Sequence, residues 1–127
     1  ALDESLIGVR GRESKTELLD AVRPQFVILK PSLLGGFAES QEWVDLAEER
    51  GMGWWATSAL ESNLGLYAIA QWVKNGVHTR NPLLLQGLGT GGLFTNNVPG
   101  TLEVEGGQLI NHAGGQWPNL TEFFTTG

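Results

Sequence analysis

The sequence predicts an α/β chain built from repeated strand–helix units and closed by a small β-hairpin. Two observations carry that reading. Short, continuously apolar runs alternate with amphipathic stretches of helical period. Polar residues at the ends of those runs recur at a steady step: Asp3, Lys30, Ser58 and Gln86 are separated by 27, 28 and 28 positions. A third observation concerns scale. In 127 residues, 41% are hydrophobic and five are tryptophan, enough for a packed core and too much for a disordered segment.

The elements follow in order. Ala1-Leu2-Asp3-Glu4-Ser5-Leu6 reads as the end of an apolar strand entering a loop, so the chain is expected to open inside an element of something longer. Ser14-Lys15-Thr16-Glu17 fits a capping box, with Ser14 capping a helix and Glu17 reaching back. Leu18, Leu19 and Val22 supply that helix with an apolar face, and Pro24 stops it. Phe26-Val27-Ile28-Leu29 is rich in strand formers, and its unbroken apolarity predicts a strand covered on both faces. Leu33-Leu34-Gly35-Gly36 reads as a loop, and residues 38–50 as a helix with Trp43, Val44 and Ala47 on one face. Residues 53–58 are the next strand and its exit, 64–74 a third helix, and 83–86 a fourth strand opening into a glycine-rich turn. Leu102-Glu103-Val104 and Gln108-Leu109-Ile110 flank Glu105-Gly106-Gly107 as a hairpin outside the rhythm.

Composition excludes several function classes. Fourteen acids against eight bases leave a net charge of −6, which repels a nucleic-acid backbone. Without cysteine there is neither a disulfide framework nor a thiolate metal site. No apolar run approaches the roughly 20 residues needed to span a bilayer. Asp3 and Glu4 stand where the basic region of a signal peptide would lie. A cytoplasmic protein with neither nucleic acid nor membrane as partner is expected.

In a barrel or a doubly wound sheet, both made of such units, chemistry collects at the carboxyl ends of the strands. The residues placed there are Asp3, Lys30, Thr57 with Ser58, and the turn from Gly87 to Gly92. A carboxylate suits a hard cation such as Mg²⁺. A lysine in a partly dry mouth serves as acid, base or fixed cation, while hydroxyls and close backbone suit a carboxylate ligand. Each has a plainer reading: Asp3 as a cap or surface charge, Lys30 as a strand end, Thr57 and Ser58 as helix-start residues. Their common register favours the shared mouth. Gly87, Gly89 and Gly92 match G-x-G-x-x-G, but Pro99 and the Asn96-Asn97 pair argue against the helix that a dinucleotide site needs there. His78 and His112 fall away from the mouth, and no catalytic triad can be drawn. Asp45, Glu48 and Glu49 read as the solvated side of a helix, and the tryptophans as packing.

Three segments in order, Asp3-Glu4-Ser5-Leu6, the run from Leu29 to Gly36 (L-K-P-S-L-L-G-G) and the run from Thr57 to Leu66 (T-S-A-L-E-S-N-L-G-L), resemble the o-succinylbenzoate synthases of the enolase superfamily. The run from Gly87 to Asn97 resembles the form of that family found in Bacteroidetes. The resemblance implies that residues 1–97 are strands five to eight, the C-terminal half of a (β/α)₇β TIM-type barrel. Residues 98–127 would form a C-terminal hairpin and tail packing toward a capping domain. It implies Asp3 as a Mg²⁺ ligand from the fifth strand and Lys30 as the catalytic lysine of the sixth. Thr57 and Ser58 on the seventh strand would meet the substrate's carboxylate end, and Gly87 at the eighth-strand exit would let backbone approach the ligand. Gly89 stands where some members carry an acid. The other metal acids and the second-strand lysine, which acts as base, have no counterpart here. The implied reaction is Mg²⁺-dependent dehydration of 2-succinyl-6-hydroxy-2,4-cyclohexadiene-1-carboxylate to o-succinylbenzoate, in menaquinone biosynthesis. A related N-acylamino-acid racemase or dipeptide epimerase, and a non-catalytic half-barrel assembly module, are the alternatives. The chain alone is expected to be inactive, and to self-associate unless the missing half or another chain covers its open strand edges.

Overall fold

The computed structural model describes residues 1–76, 86–88, 102–105 and 108–111, the last two stretches and residues 75–76 by backbone alone. Expectations placed on residues 83–85 and 89–97, and on His78 and His112, lie outside the described residues. The chain divides into two compact units, Ala1–Trp55 and Ala56–Gly127.

The first unit begins with a parallel bridge between Leu2 and Val27. The Leu2 N–H donates to Phe26 O and the Ile28 N–H to Leu2 O, both at 2.9 Å. After a 3-10 turn over Glu4–Leu6, helix α1 runs from Arg12 to Val22. It starts two residues ahead of the expected cap: Gly11 is the N-cap at φ +81°, no side chain caps the end, and Ser14 lies inside the helix. The buried positions also differ from expectation. Lys15 and Leu19, one turn apart, face inward, while Val22 is half exposed. The ion pairs that Lys15 makes with Glu39 and Glu42 set this rotation, and they are invisible to hydropathy. At the far end Arg23 adopts the left-handed conformation at φ +50°, its N–H bonds Leu19 O at 2.8 Å, and Pro24 follows.

Strand β1 is Phe26–Leu29. Val27 and Leu29 are fully buried whereas Phe26 is exposed, so one face is covered in this unit rather than the two expected. A short helix α2, Pro31–Leu34, replaces the expected loop, with Pro31 in the first turn where its missing N–H costs nothing. It ends on Gly35 at φ +99°, where Arg10 packs so closely that a Cβ would lie 2.5 Å from its Nη1. The same Nη1 donates to Leu34 O at 2.6 Å. Helix α3, Phe37–Glu49, buries Trp43, Val44 and Ala47 as expected, and Leu46 and Ser40 besides. Strand β2, Gly53–Ala56, pairs with β1. Its Trp54 is buried and donates from Nε1 to Glu48 at 3.2 Å, while Trp55 tilts against Phe26 with centroids 5.6 Å apart.

In the second unit helix α4 spans Asn63–Gly76. Leu66, Ile69, Ala70 and Val73 form its inner stripe at helical spacing and close on Ala56 and Leu88. Leu64, the first apolar residue of that stretch, points outward. Strands β3 (Leu102–Glu105) and β4 (Gln108–Asn111) pair antiparallel, with Leu102 opposite Asn111 and Glu105 opposite Gln108, as the hairpin reading expects. Among the described residues no helix is long and apolar enough to cross a membrane.

Candidate functional site at the strand exits

The Leu2–Val27 bridge fixes where two of the expected residues fall. Leu2 and β1 run parallel, so the residues that leave them, Asp3 and Lys30, emerge on the same side. The Lys30 Nζ donates to Asp3 Oδ2 at 2.8 Å, and the two side chains are only 21% and 34% exposed. Asp3 is the N-cap of the 3-10 turn, yet its carboxylate makes no capping bond. Its backbone carbonyl alone closes the turn, accepting from Leu6 N–H at 3.1 Å. The carboxylate is thereby left to the lysine, so the plain capping reading does not hold. Lys30 in turn opens α2: its carbonyl accepts from Leu33 and Leu34 N–H at 2.9 and 3.2 Å while its side chain turns to Asp3.

In the second unit the expected residues also meet. Thr57 and Gly87 form a parallel bridge. The Thr57 hydroxyl donates to Gly87 O at 2.8 Å, the Ser58 N–H donates to the same oxygen at 3.1 Å, and Gly87 N–H donates to Ala56 O at 2.8 Å. Gly87 is required there, since a Cβ would sit 2.8 Å from Thr57 Oγ1. The Ser58 hydroxyl donates to the Glu61 carboxylate, and its oxygen accepts the Glu61 N–H at 2.9 Å. Glu61 also accepts the Ala59 N–H at 2.6 Å. This clasp holds Leu60 in the left-handed region at φ +68°, a conformation that costs a residue with a Cβ about 1 kcal/mol or more.

Two residues here escaped the sequence reading of the site. Glu61 stands three positions after Ser58, the S-x-x-E spacing of a capping box, so a signal was present. Gln86 is buried and its Oε1 accepts the Ala56 N–H at 2.6 Å, a side chain standing in for a strand carbonyl. Nothing in a one-dimensional pattern marks that use.

Elsewhere, the charges of the first unit serve packing. Lys15, fully buried, donates to Glu39 at 2.5 Å and Glu42 at 2.8 Å and lies 5.5 Å from the Trp43 ring centre. The hydrogen bond and charge of Lys15 hold the Glu39 carboxyl below its ordinary value. Asp20 is likewise lowered by its hydrogen bond from Arg50, whose Nε lies 2.7 Å away.

The chemistry of the donors fits a divalent cation in one respect. Asp3 offers a hard, half-buried carboxylate that no backbone group claims. Among the described residues no group of three His, Cys, Asp or Glu side chains gathers to hold a metal, so Asp3 would supply one ligand of a larger set.

An acid just past a parallel bridge to β1, paired with a lysine at the carboxyl end of β1, points to an α/β protein with polar residues gathered at the strand exits. Comparison with known proteins narrows this class. The chain is 60% identical over 109 residues to the o-succinylbenzoate synthase of Desulfotalea psychrophila, a match covering 86% of this chain and 28% of that protein. The crystal structure of MenC from the same organism superposes with a TM-score of 0.74 at 58% identity, over 85% of this chain and 29% of that one. The chain thus spans under a third of the length of the relatives it matches. No family model matches it. The resemblance to the o-succinylbenzoate synthases read from the three segments holds across most of the chain.

Proposed function

We propose that this chain forms strands five to eight of an o-succinylbenzoate synthase barrel, and that the whole protein converts 2-succinyl-6-hydroxy-2,4-cyclohexadiene-1-carboxylate to o-succinylbenzoate by loss of water. The observation that carries the reading is the 60% identity to the Desulfotalea enzyme, joined to an Asp3–Lys30 pair at the exits of adjacent parallel strands. Residues 1–97 belong to the barrel in this proposal, and 98–127 extend toward the capping domain. The remaining metal carboxylates and the base come from the other part of the protein.

In this proposal each residue takes the role that the resemblance implies for its position. Asp3 would hold part of the coordination shell of a Mg²⁺ ion, which when bound would supply Lewis-acid stabilisation of negative charge on the substrate carboxylate. Lys30, an ammonium beside that ligand, faces the charge that develops when a proton leaves the carbon next to the carboxylate, and lies against the unsaturated ring as a cation. Thr57 and Ser58 meet the carboxylate end of the substrate in this proposal, and Gly87 lets backbone come close to it. Both hydroxyl protons are committed, to Gly87 O and to Glu61, so these residues act by fixing the loop and letting backbone approach closely. A side chain on Gly87 would close that approach.

The test is a spectroscopic assay of diene dehydration by the intact protein with and without Mg²⁺. Lys30→Ala should lower kcat by at least about a hundredfold. Retained activity would remove Lys30 from the mechanism. Solvent deuterium exchange into N-acylamino acids or dipeptides, with no dehydration, would assign the protein to the racemases and epimerases instead.

A further inference from the structure

Arg10 joins the two segments that leave the strand exits of the first unit. Its Nη1 donates to Leu34 O at 2.6 Å, across 24 positions of sequence, at the C-terminal end of α2. We propose that Arg10 is a positioning residue for Lys30: by holding the one-turn helix that Lys30 opens, it fixes where the Lys30 ammonium stands beside Asp3. The proposal rests on the reading above only in taking Lys30 as a group that meets substrate.

Three observations support it. Helix α2 has four residues, too few to be stable by itself, because a single turn fixes many dihedrals for few hydrogen bonds. Within it the Lys30 carbonyl accepts from Leu33 and Leu34 N–H, and the Pro31 carbonyl accepts from Gly36 N–H at 2.8 Å. Those bonds make Lys30 and the turn one piece, so whatever places the turn places Lys30. Next, the Arg10 guanidinium has a seat. A Cβ on Gly35 would meet its Nη1 at 2.5 Å, Cζ at 3.1 Å and Nη2 at 3.2 Å, so the group lies against the bare α-carbon of the residue that ends α2. Finally, the tie brackets the site. The Leu2–Val27 bridge joins the two segments before Asp3 and Lys30, and the Arg10–Leu34 bond joins them after. Arg10 itself follows the turn that Asp3 opens, with Val9 N–H bonding Leu6 O at 3.2 Å. The Asp3–Lys30 ion pair cannot supply this order alone, since a partly exposed pair is a weak tether for a flexible lysine stem.

The intact protein tests this through two readouts. One is steady-state dehydration kinetics, and the other is acylation of Lys30 by an amine-reactive ester, followed by peptide mass spectrometry. Arg10→Met keeps the apolar stem and removes the donor. It should lower kcat at least about tenfold and leave KM within about twofold, because a misplaced reacting group costs rate rather than binding. In the same variant Lys30 should be acylated several-fold faster, since its turn is no longer held. Arg10→Lys returns a donor and should recover most of both effects. Circular dichroism confirms that each variant is folded, and Arg10→Gln stands in if the methionine does not fold. Unchanged kcat and unchanged Lys30 acylation in Arg10→Met would overturn the inference. A raised KM at constant kcat would overturn it by making Arg10 a substrate contact, and a lowered thermal midpoint with neither readout moved would reduce it to a structural clamp. Full activity in Lys30→Ala would overturn the reading above and this inference with it, whereas the Arg10 outcomes overturn the inference alone.

Discussion

Gly87→Ala isolates the close approach on which the second unit's strand exits depend. A Cβ at position 87 would lie 2.8 Å from Thr57 Oγ1, 3.1 Å from Thr57 Cβ and 3.7 Å from its Cα. Carbon contacts settle at about 3.5–4.0 Å, so Thr57 must move by roughly half an ångström or rotate. Rotation is resisted by its branched Cβ and breaks the hydroxyl bond to Gly87 O, about 1 kcal/mol. Overpacking adds about 1–3 kcal/mol. Gly87 has no positive φ, so alanine regains about 0.4–1 kcal/mol through the unfolded chain. The net cost is about 2 kcal/mol. With a urea m-value of about 2 kcal/mol/M that lowers the unfolding midpoint by about 1 M, measured by tryptophan fluorescence at fixed protein concentration. In a Thr57→Gly background only the ordinary 3.7 Å contact remains, and the same substitution should be neutral or slightly stabilising. A Gly87→Ala midpoint within about 0.2 M of the parent, or an equal shift in both backgrounds, would refute the reasoning.

Two further outcomes concern the first unit. Lys15→Ala should cost about 2 kcal/mol in urea unfolding, below the roughly 3–5 of a wholly buried pair, because Glu39 and Glu42 can regain water. Lys15→Met restores the buried stem and should recover more than half of that loss, and no recovery would show that the ion pairs dominate. Acid should also destabilise the unit. Arg50 and Lys15 hold the Asp20 and Glu39 pKa values below their ordinary 3.8 and 4.5. A carboxyl lowered in the folded state stabilises above its unfolded pKa, and that stability is lost as pH falls through the folded one. The thermal midpoint should therefore drop as pH falls below about 4.5, and Asp20→Asn should make that drop shallower. An unchanged slope in the variant would sink the assignment to Asp20.

Much of the first unit was legible because its strands and α3 are set by short-range pattern. Phe26–Leu29 and Gly53–Ala56 are bounded by Pro, Gly or helix-capping residues, and Trp43, Val44 and Ala47 repeat at helical spacing. The start of α1 was not, since S-x-x-E marks a cap only when tertiary contacts agree. Here Lys15 is drawn into the core by two acids 24 and 27 positions away. The second face of β1 was overestimated for a related reason: an apolar run shows that burial suits it, not which surface covers it. At the candidate site, Asp3 and Lys30 were placed correctly as strand-exit residues, and their contact was not foreseen. Ser58 was legible as a polar exit residue, but its engagement by Glu61 was read as mere sequence before a helix.

Residue order alone determined the succession of strands and helices, the hairpin partners, the acid and lysine at consecutive strand exits, and a resemblance that close homology bears out. These depend on local propensity and period, which neighbours in the chain express. Only the tertiary structure decided that Lys30 closes on Asp3, that Gln86 replaces a strand carbonyl, and that Gly87 must carry no side chain. Each of those rests on an approach of less than 3 Å between residues 27 to 30 positions apart. A linear pattern can suggest that two residues share a register, but the distance between them is set by packing.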